Sequence, residues 1–239
     1  MQEHPRPVIL AADNMKALDA LKSIRHLFDR HPQIIPFVSE IKVNHLLWGA
    51  DALWFLQEIR RFLESSHLWP RIGFFLDLKL ADIGDTNVNV LSRYRDFCPL
   101  RVTFAGIISF RAVLQLHELN PCTSLSLFIV PTDMDVLEVM RVWKTSPENV
   151  ITRFLQQFED LLEMENPINS CICSGQELTA LRDRFGKRYQ LVVPGIRSSW
   201  MGNQNQRRVM TPRKALRLGA DRIVLGSQLF FGNPAASYL

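Results

Sequence analysis

The chain has 239 residues, 47% of them hydrophobic, which allows one large domain of α/β-barrel size with a sizeable core. A formal charge of +4, with no arginine block longer than Arg207-Arg208 and no aromatic ladder beside it, argues against nucleic acid and suits a small anionic substrate. No apolar run approaches a membrane span, Met1 to Pro7 lacks the apolar region of a signal peptide, and the six histidines show no metal-ligand spacing. The four cysteines, Cys98, Cys122, Cys171 and Cys173, form no C-x-x-C pair. They read as buried free thiols of a reducing compartment, the cytoplasm, with Cys171 and Cys173 on one strand face.

Apolar strand-like runs alternate with helical patterns throughout, which predicts βα units and a parallel sheet. The first predicted strand is Val8 to Ala12, ending at Asp13, and an amphipathic helix follows over Met15 to Arg30. A second strand, Glu40 to Val43, carries Lys42; the next helix spans Asp51 to Leu63, with Leu53, Leu56, Ile59 and Leu63 at helical spacing. The third strand is Ile72 to Leu76, followed by Asp77-Leu78-Lys79-Leu80-Ala81-Asp82-Ile83-Gly84-Asp85-Thr86. Leu100 to Gly106 and Leu125 to Val130 are the fourth and fifth strands, and Pro131-Thr132-Asp133 closes the fifth. Met134 to Asn169 is long for one crossover, and Pro147 divides it into two helices. Cys171 to Cys173 is the sixth strand, ending at Ser174-Gly175; Leu191 to Val193 is the seventh, followed by Pro194-Gly195-Ile196-Arg197. Arg222 to Leu225, followed by Gly226-Ser227, is the eighth, and Asn233 to Leu239 leaves room only for a short final helix. Eight such units with polar residues at the strand ends describe an α/β (β/α)8 TIM barrel of one domain, residues 1–239.

The chemistry concentrates after the third strand. Asp77 and Lys79 are two apart and face one side, and Asp82 follows in the turn. Two carboxylates around one ammonium keep the lysine protonated. A protonated lysine beside a carboxylate suits a reaction that expels CO2 and protonates the carbon left behind. The same residues also read as a surface ion-pair cluster at a strand end.

The order Asp-x-Lys-x-x-Asp-Ile-x-x-Thr, carried by Asp77, Lys79, Asp82, Ile83 and Thr86, resembles the signature of the orotidine 5'-monophosphate decarboxylase superfamily. The resemblance implies a carboxy-lyase that converts orotidine 5'-monophosphate to uridine 5'-monophosphate in pyrimidine biosynthesis. It uses neither a metal nor an organic cofactor. Lys79, Asp77, Asp82 and Lys42 would be catalytic. Asp13 and Lys42 would bind the ribose, Thr132 would lie near the pyrimidine, and Ser174 would bond the base. Arg197 and Gln206 would hold the phosphate, with Ile83, Thr86, Gly226 and Ser227 completing the substrate site. A homodimer is implied, Asp82 and Thr86 reaching into the neighbouring subunit's site. Each position has a plainer reading: a helix cap for Asp13, a snorkelling Lys42, turn residues at Thr132 and Ser174, and an irregular loop around Arg197.

The chain departs from the family pattern at several places. Ser227 and then Gln228 stand where the family has a phosphate-binding Arg. Phe104-Ala105-Gly106-Ile107-Ile108 replaces a His and paired glycines, Asn44 replaces a Gly, and Asn205 replaces an Asp. Three alternatives follow. One is a sister enzyme acting on a sugar phosphate such as 3-keto-L-gulonate 6-phosphate, against which Lys42 speaks, since that branch is acidic there. The second is a decarboxylase of a nucleoside or altered nucleotide, and the third a ligand-binding barrel without turnover.

Overall fold

The computed structural model describes residues 6–162, 166–198 and 210–232. Eight strands close into a barrel in sequence order, every neighbouring pair parallel. They are β1 Val8–Ala11, β2 Val38–Val43, β3 Gly73–Leu80, β4 Arg101–Ala105, β5 Ser124–Phe128, β6 Ile168–Ile172, β7 Gln190–Val193 and β8 Arg222–Leu225. The helices are α1 Ala17–Arg30, α2 Ala52–Ser65, α3 Gly84–Ser92, α4 Phe110–Leu119, α5 Val136–Trp143, α6 Pro147–Leu162, α7 Leu178–Phe185, α8 Pro212–Arg217 and α9 Ser227–Phe231. Among the described residues no helix is long and apolar enough to cross a membrane.

The strands are built mostly from apolar residues because both faces are covered. Their outward side chains join the helices in one large core; α1 contributes Ala17, Ala20, Leu21, Ile24, Leu27 and Phe28, one face of a 3.6-residue period. Inside the barrel a separate apolar layer contains Ile9, Ala11, Phe75, Ile172, Val192 and Val224. Beneath it, at the N-terminal ends of the strands, Arg101 lies fully inside the barrel. Its guanidinium donates twice to Glu40, at 2.9 and 3.1 Å, and also to Ser124, Ser126, Ser170 and Gln190. A buried ion pair persists only when its hydrogen-bonding groups are satisfied in this way.

Several boundaries differ from those expected. β3 runs on to Leu80 instead of ending at Leu76, and β6 begins at Ile168. On α2 the buried face is Ala52, Phe55, Leu56, Ile59 and Leu63, while Leu53 is exposed. Pro147 does divide the long crossover: it is the first residue of α6, where its missing N–H has no intrahelical partner to lose. The short helix after β8 is Ser227–Phe231, directly at the strand end; Asn233 to Leu239 lie outside the described residues. All four cysteines are free thiols, but Cys98 and Cys122 are exposed rather than buried. Cys171 and Cys173 share the outward-facing core, where burial and then Glu177 push the Cys171 thiol up.

Candidate active site

A cavity of about 380 Å³ opens at the C-terminal ends of the strands. Its charged floor comes from three strand ends. Lys42 on β2 donates to Asp13 Oδ2 at 2.6 Å and lies 3.0 Å from Asp77 Oδ2; Lys79 donates to the same Asp77 oxygen at 2.8 Å. The order is therefore Asp13, Lys42, Asp77, Lys79, with charges alternating along the row. Burial alone would lower the Lys42 pKa, but Asp77 and Asp13 outweigh it and hold it above its ordinary value. Burial alone would raise the Asp77 carboxyl, but Lys42 and then Lys79 hold it below the usual carboxylate range. Lys79 keeps 40% of its side chain open, against 12% for Lys42, so of the two lysines Lys79 is the more open to a ligand. The Phe128 ring stacks on it, with Nζ 5.1 Å from the centroid.

The local backbone puts Lys79 there. Leu76 pairs with Val102 and Leu80 with Phe104, so β3 takes four steps where β4 takes two. The surplus is a bulge spanning Asp77 to Lys79. Lys79 has φ +48°, left-handed backbone that is uncommon for a residue other than glycine. Alternation along a regular strand is therefore not what brings Asp77 and Lys79 together; the bulge aims the lysine. Asn44 Nδ2 donates to the Asp77 carbonyl oxygen at 2.7 Å and ties β2 to the same bulge.

Asp82 does not stand beside the Lys79 ammonium, where its place in the turn put it. It is exposed and does not line the cavity, and its carboxylate accepts from the Ile83 N–H at 2.7 Å. Its backbone is fastened to the buried Asn87 by two further bonds. The paired carboxylates around one ammonium exist, but the ammonium is Lys42 and the carboxylates are Asp13 and Asp77. The physical reason is the entry into α3, which turns the chain out of the barrel mouth after Leu80. Ile83, 69% exposed, and Thr86 lie on the same outer rim.

Other expected positions divide similarly. Thr132, Arg197, Gly226 and Ser227 line the cavity. Ser174 does not: it is buried, and its hydroxyl donates to Glu177 at 2.8 Å and accepts from the Gln176 N–H, an arrangement that opens α7. Gly195, at φ +75°, turns the chain after β7, and Ile196 pairs with Met210. Gln206, Arg207 and Arg208 lie outside the described residues. Arg197 reaches the cavity with a buried Nε that has no hydrogen-bond partner, and burial lowers its pKa. Phe230 and Phe231 complete that end. Thr103, Asn44, Asn87 and Phe128 were not singled out as site residues. For Thr103 a signal exists: with Arg101 it is one of two polar residues alternating with apolar ones on β4. Among the described residues no group of three or more His, Cys, Asp or Glu could hold a metal ion.

A closed parallel barrel with an alternating lysine–carboxylate row at its C-terminal mouth defines an α/β-barrel enzyme. The chain belongs to the "Orotidine 5'-phosphate decarboxylase / HUMPS family", whose model matches residues 6–236. It is similar to proteins named orotidine 5'-phosphate decarboxylase, a carboxy-lyase. That of Prochlorococcus marinus is 29% identical over 97% of this chain and 92% of the relative. That of Saccharophagus degradans is 25% identical over 87% and 83%. The crystal structure of orotidine 5'-phosphate decarboxylase from Lactobacillus acidophilus shares the fold with a TM-score of 0.67 at 21% identity, covering 98% of this chain and 96% of that one.

Proposed function

We propose that the chain decarboxylates orotidine 5'-monophosphate to uridine 5'-monophosphate, with Lys79 as the proton donor. The observation that carries this reading is the Lys79 ammonium, 2.8 Å from the buried Asp77 carboxylate in the cavity at the barrel mouth, in a chain of this family. Binding of the ribose and phosphate brings the substrate carboxylate toward Asp77. The two negative charges repel, and that repulsion is relieved as CO2 leaves. The carbon–carbon bond breaks with its electron pair left on the ring carbon, beside the Lys79 ammonium. Lys79 then transfers a proton to that carbon and regains one from solvent. Asp13, whose Oδ1 is buried without a partner, and Lys42 suit ribose hydroxyls. Arg197 offers an unpaired N–H to the phosphate. We assign the exposed rim of Asp82, Ile83 and Thr86 to the neighbouring site of a homodimer. The four free thiols fit a reducing compartment such as the cytoplasm.

The test is loss of orotidine 5'-monophosphate absorbance with purified protein. Turnover is expected, and Lys79→Ala should abolish it while binding stays measurable. A variant retaining more than a small fraction of kcat would remove Lys79 from the mechanism. A second reading, decarboxylation with weaker dependence on the phosphate, is favoured by Ser227 at the cavity rim, a hydroxyl in place of a guanidinium.

A further inference from the structure

We infer that Thr103 is a positioning residue that fixes both the carboxylate and the lysine of the reactive pair. It is fully buried on β4 and does not line the cavity, so it acts through its neighbours. Its hydroxyl donates to Asp77 Oδ1 at 2.8 Å and accepts from the Lys79 backbone N–H at 2.9 Å.

Both bonds answer a need created by the bulge. Where β3 takes its extra steps, the Lys79 N–H has no ladder carbonyl opposite it, and the Thr103 side chain takes that place. The left-handed Lys79 backbone is thereby held from the neighbouring strand. On the other side, Asp77 Oδ2 faces Lys42 and Lys79, while Oδ1 would be a buried acceptor with nothing to accept from. With Oδ1 pinned, the carboxylate plane is set and only Oδ2 serves the two ammoniums. Without the pin, the carboxylate is free to rotate and offer both oxygens to the lysines. That softens the repulsion a substrate carboxylate meets, and the ammonium drifts from the reacting carbon.

The test compares Thr103→Val, which keeps the shape and removes the hydroxyl, with Thr103→Ser, which keeps the hydroxyl. Thr103→Ala replaces Val if that variant does not fold. One readout needs no activity: amide hydrogen exchange at Lys79 should be about tenfold faster or more in Val and near the parent rate in Ser. A second is the Asp77 carboxyl titration followed by NMR. The charged groups facing Asp77 are Lys42 from β2 and Lys79 from β3, with Asp13 behind Lys42, and all of them persist in the variants. Loss of the Thr103 donor should move that titration upward. The inference rests on the decarboxylase reading only for its kinetic readout: kcat should fall about tenfold or more in Val with KM within about threefold, and recover in Ser. A parent protein without turnover would count against the decarboxylase reading and leave the exchange and titration results to decide Thr103. Unchanged Lys79 exchange and an unchanged Asp77 titration in a folded Val or Ala variant would overturn the inference, as would Ser behaving like Val.

Discussion

Lys42 is held between two carboxylates, and its role reaches beyond substrate binding. It separates Asp13 from Asp77, so its removal leaves Asp13 without its cation and Asp77 with Lys79 alone. Removing one partner of a buried ion pair costs about 3–5 kcal/mol, and Lys42→Met should lose about that much stability at pH 7. The pH dependence has a defined sign. The Asp77 carboxyl is held below its ordinary value in the fold, so its contribution is complete above the unfolded pKa of about 3.9 and fades as pH falls through the lower folded value. Lys42 is held above its ordinary value, so its contribution is complete below about pH 10 and fades as pH rises through the higher folded value. Denaturant titrations should therefore show a steady gap between parent and Lys42→Met from about pH 5 to 9 that closes in acid. A gap of constant size down to pH 2 would show that packing, not charge, gives Lys42 its weight.

The elements that matter most are the shortest and the least regular. The β3 bulge stores an unfavourable backbone at Lys79, and β2 and β4 hold it there through Asn44 and Thr103. At the other end of the cavity, α9 begins with Ser227, directly after Gly226, where an added Cβ would meet the Ala11 carbonyl oxygen at 3.4 Å. Gln228, fully buried, accepts from the Ser198 N–H and so ties α9 to the segment after β7. That rim offers Arg197 as its cation among the described residues lining the cavity. A charge-assisted hydrogen bond contributes about 1.5–3 kcal/mol, or roughly 10- to 150-fold in affinity. Ser227→Arg should accordingly raise kcat/KM for orotidine 5'-monophosphate, and the parent should discriminate weakly between that nucleotide and its phosphate-free nucleoside. Steady-state kinetics on both substrates checks this. An unchanged or lower kcat/KM in a folded variant would direct attention to Arg207 or Arg208 as the source of the anchor; Gln228 is buried against Ser198 and does not line the cavity.

For the whole molecule, the decisive matter is that Asp82 turns outward. A residue that the family signature counts with Lys79 lies on the rim, beside the exposed Ile83 and Thr86. This is the placement expected if each subunit lends that rim to its partner's cavity. Lys79→Ala and Asp82→Asn proteins should each be nearly inactive. Mixed, they form hybrids in which one site carries both lesions and the other carries neither. Activity should return, up to roughly one parental site per hybrid dimer. Absence of recovery, with subunit exchange shown by an independent label, would mean that each chain completes its own site.

The alternation of apolar runs and amphipathic helices determined the barrel, because parallel strands covered on both faces can hardly be composed otherwise. The same reading located Asp13, Lys42, Asp77 and Lys79 at strand ends, since charged residues closing apolar strands stand out locally. It also marked Pro147 as a helix boundary through the chemistry of its own ring. The partners of those charges were not legible in this way. Alternation along β3 is interrupted by a bulge that depends on pairing with β4, and Asp82 is carried away by the entry into α3. Ser174 is claimed by Glu177 in its own turn, a choice between two polar partners that residue types alone leave open. Thr103 and Arg101 sit on neighbouring positions of one inward face, yet one serves the site and the other fills the barrel floor. That difference rests on which side chains the seven other strands bring opposite them. Spacing along the chain records which face a residue takes; only closure of the barrel decides what it meets there.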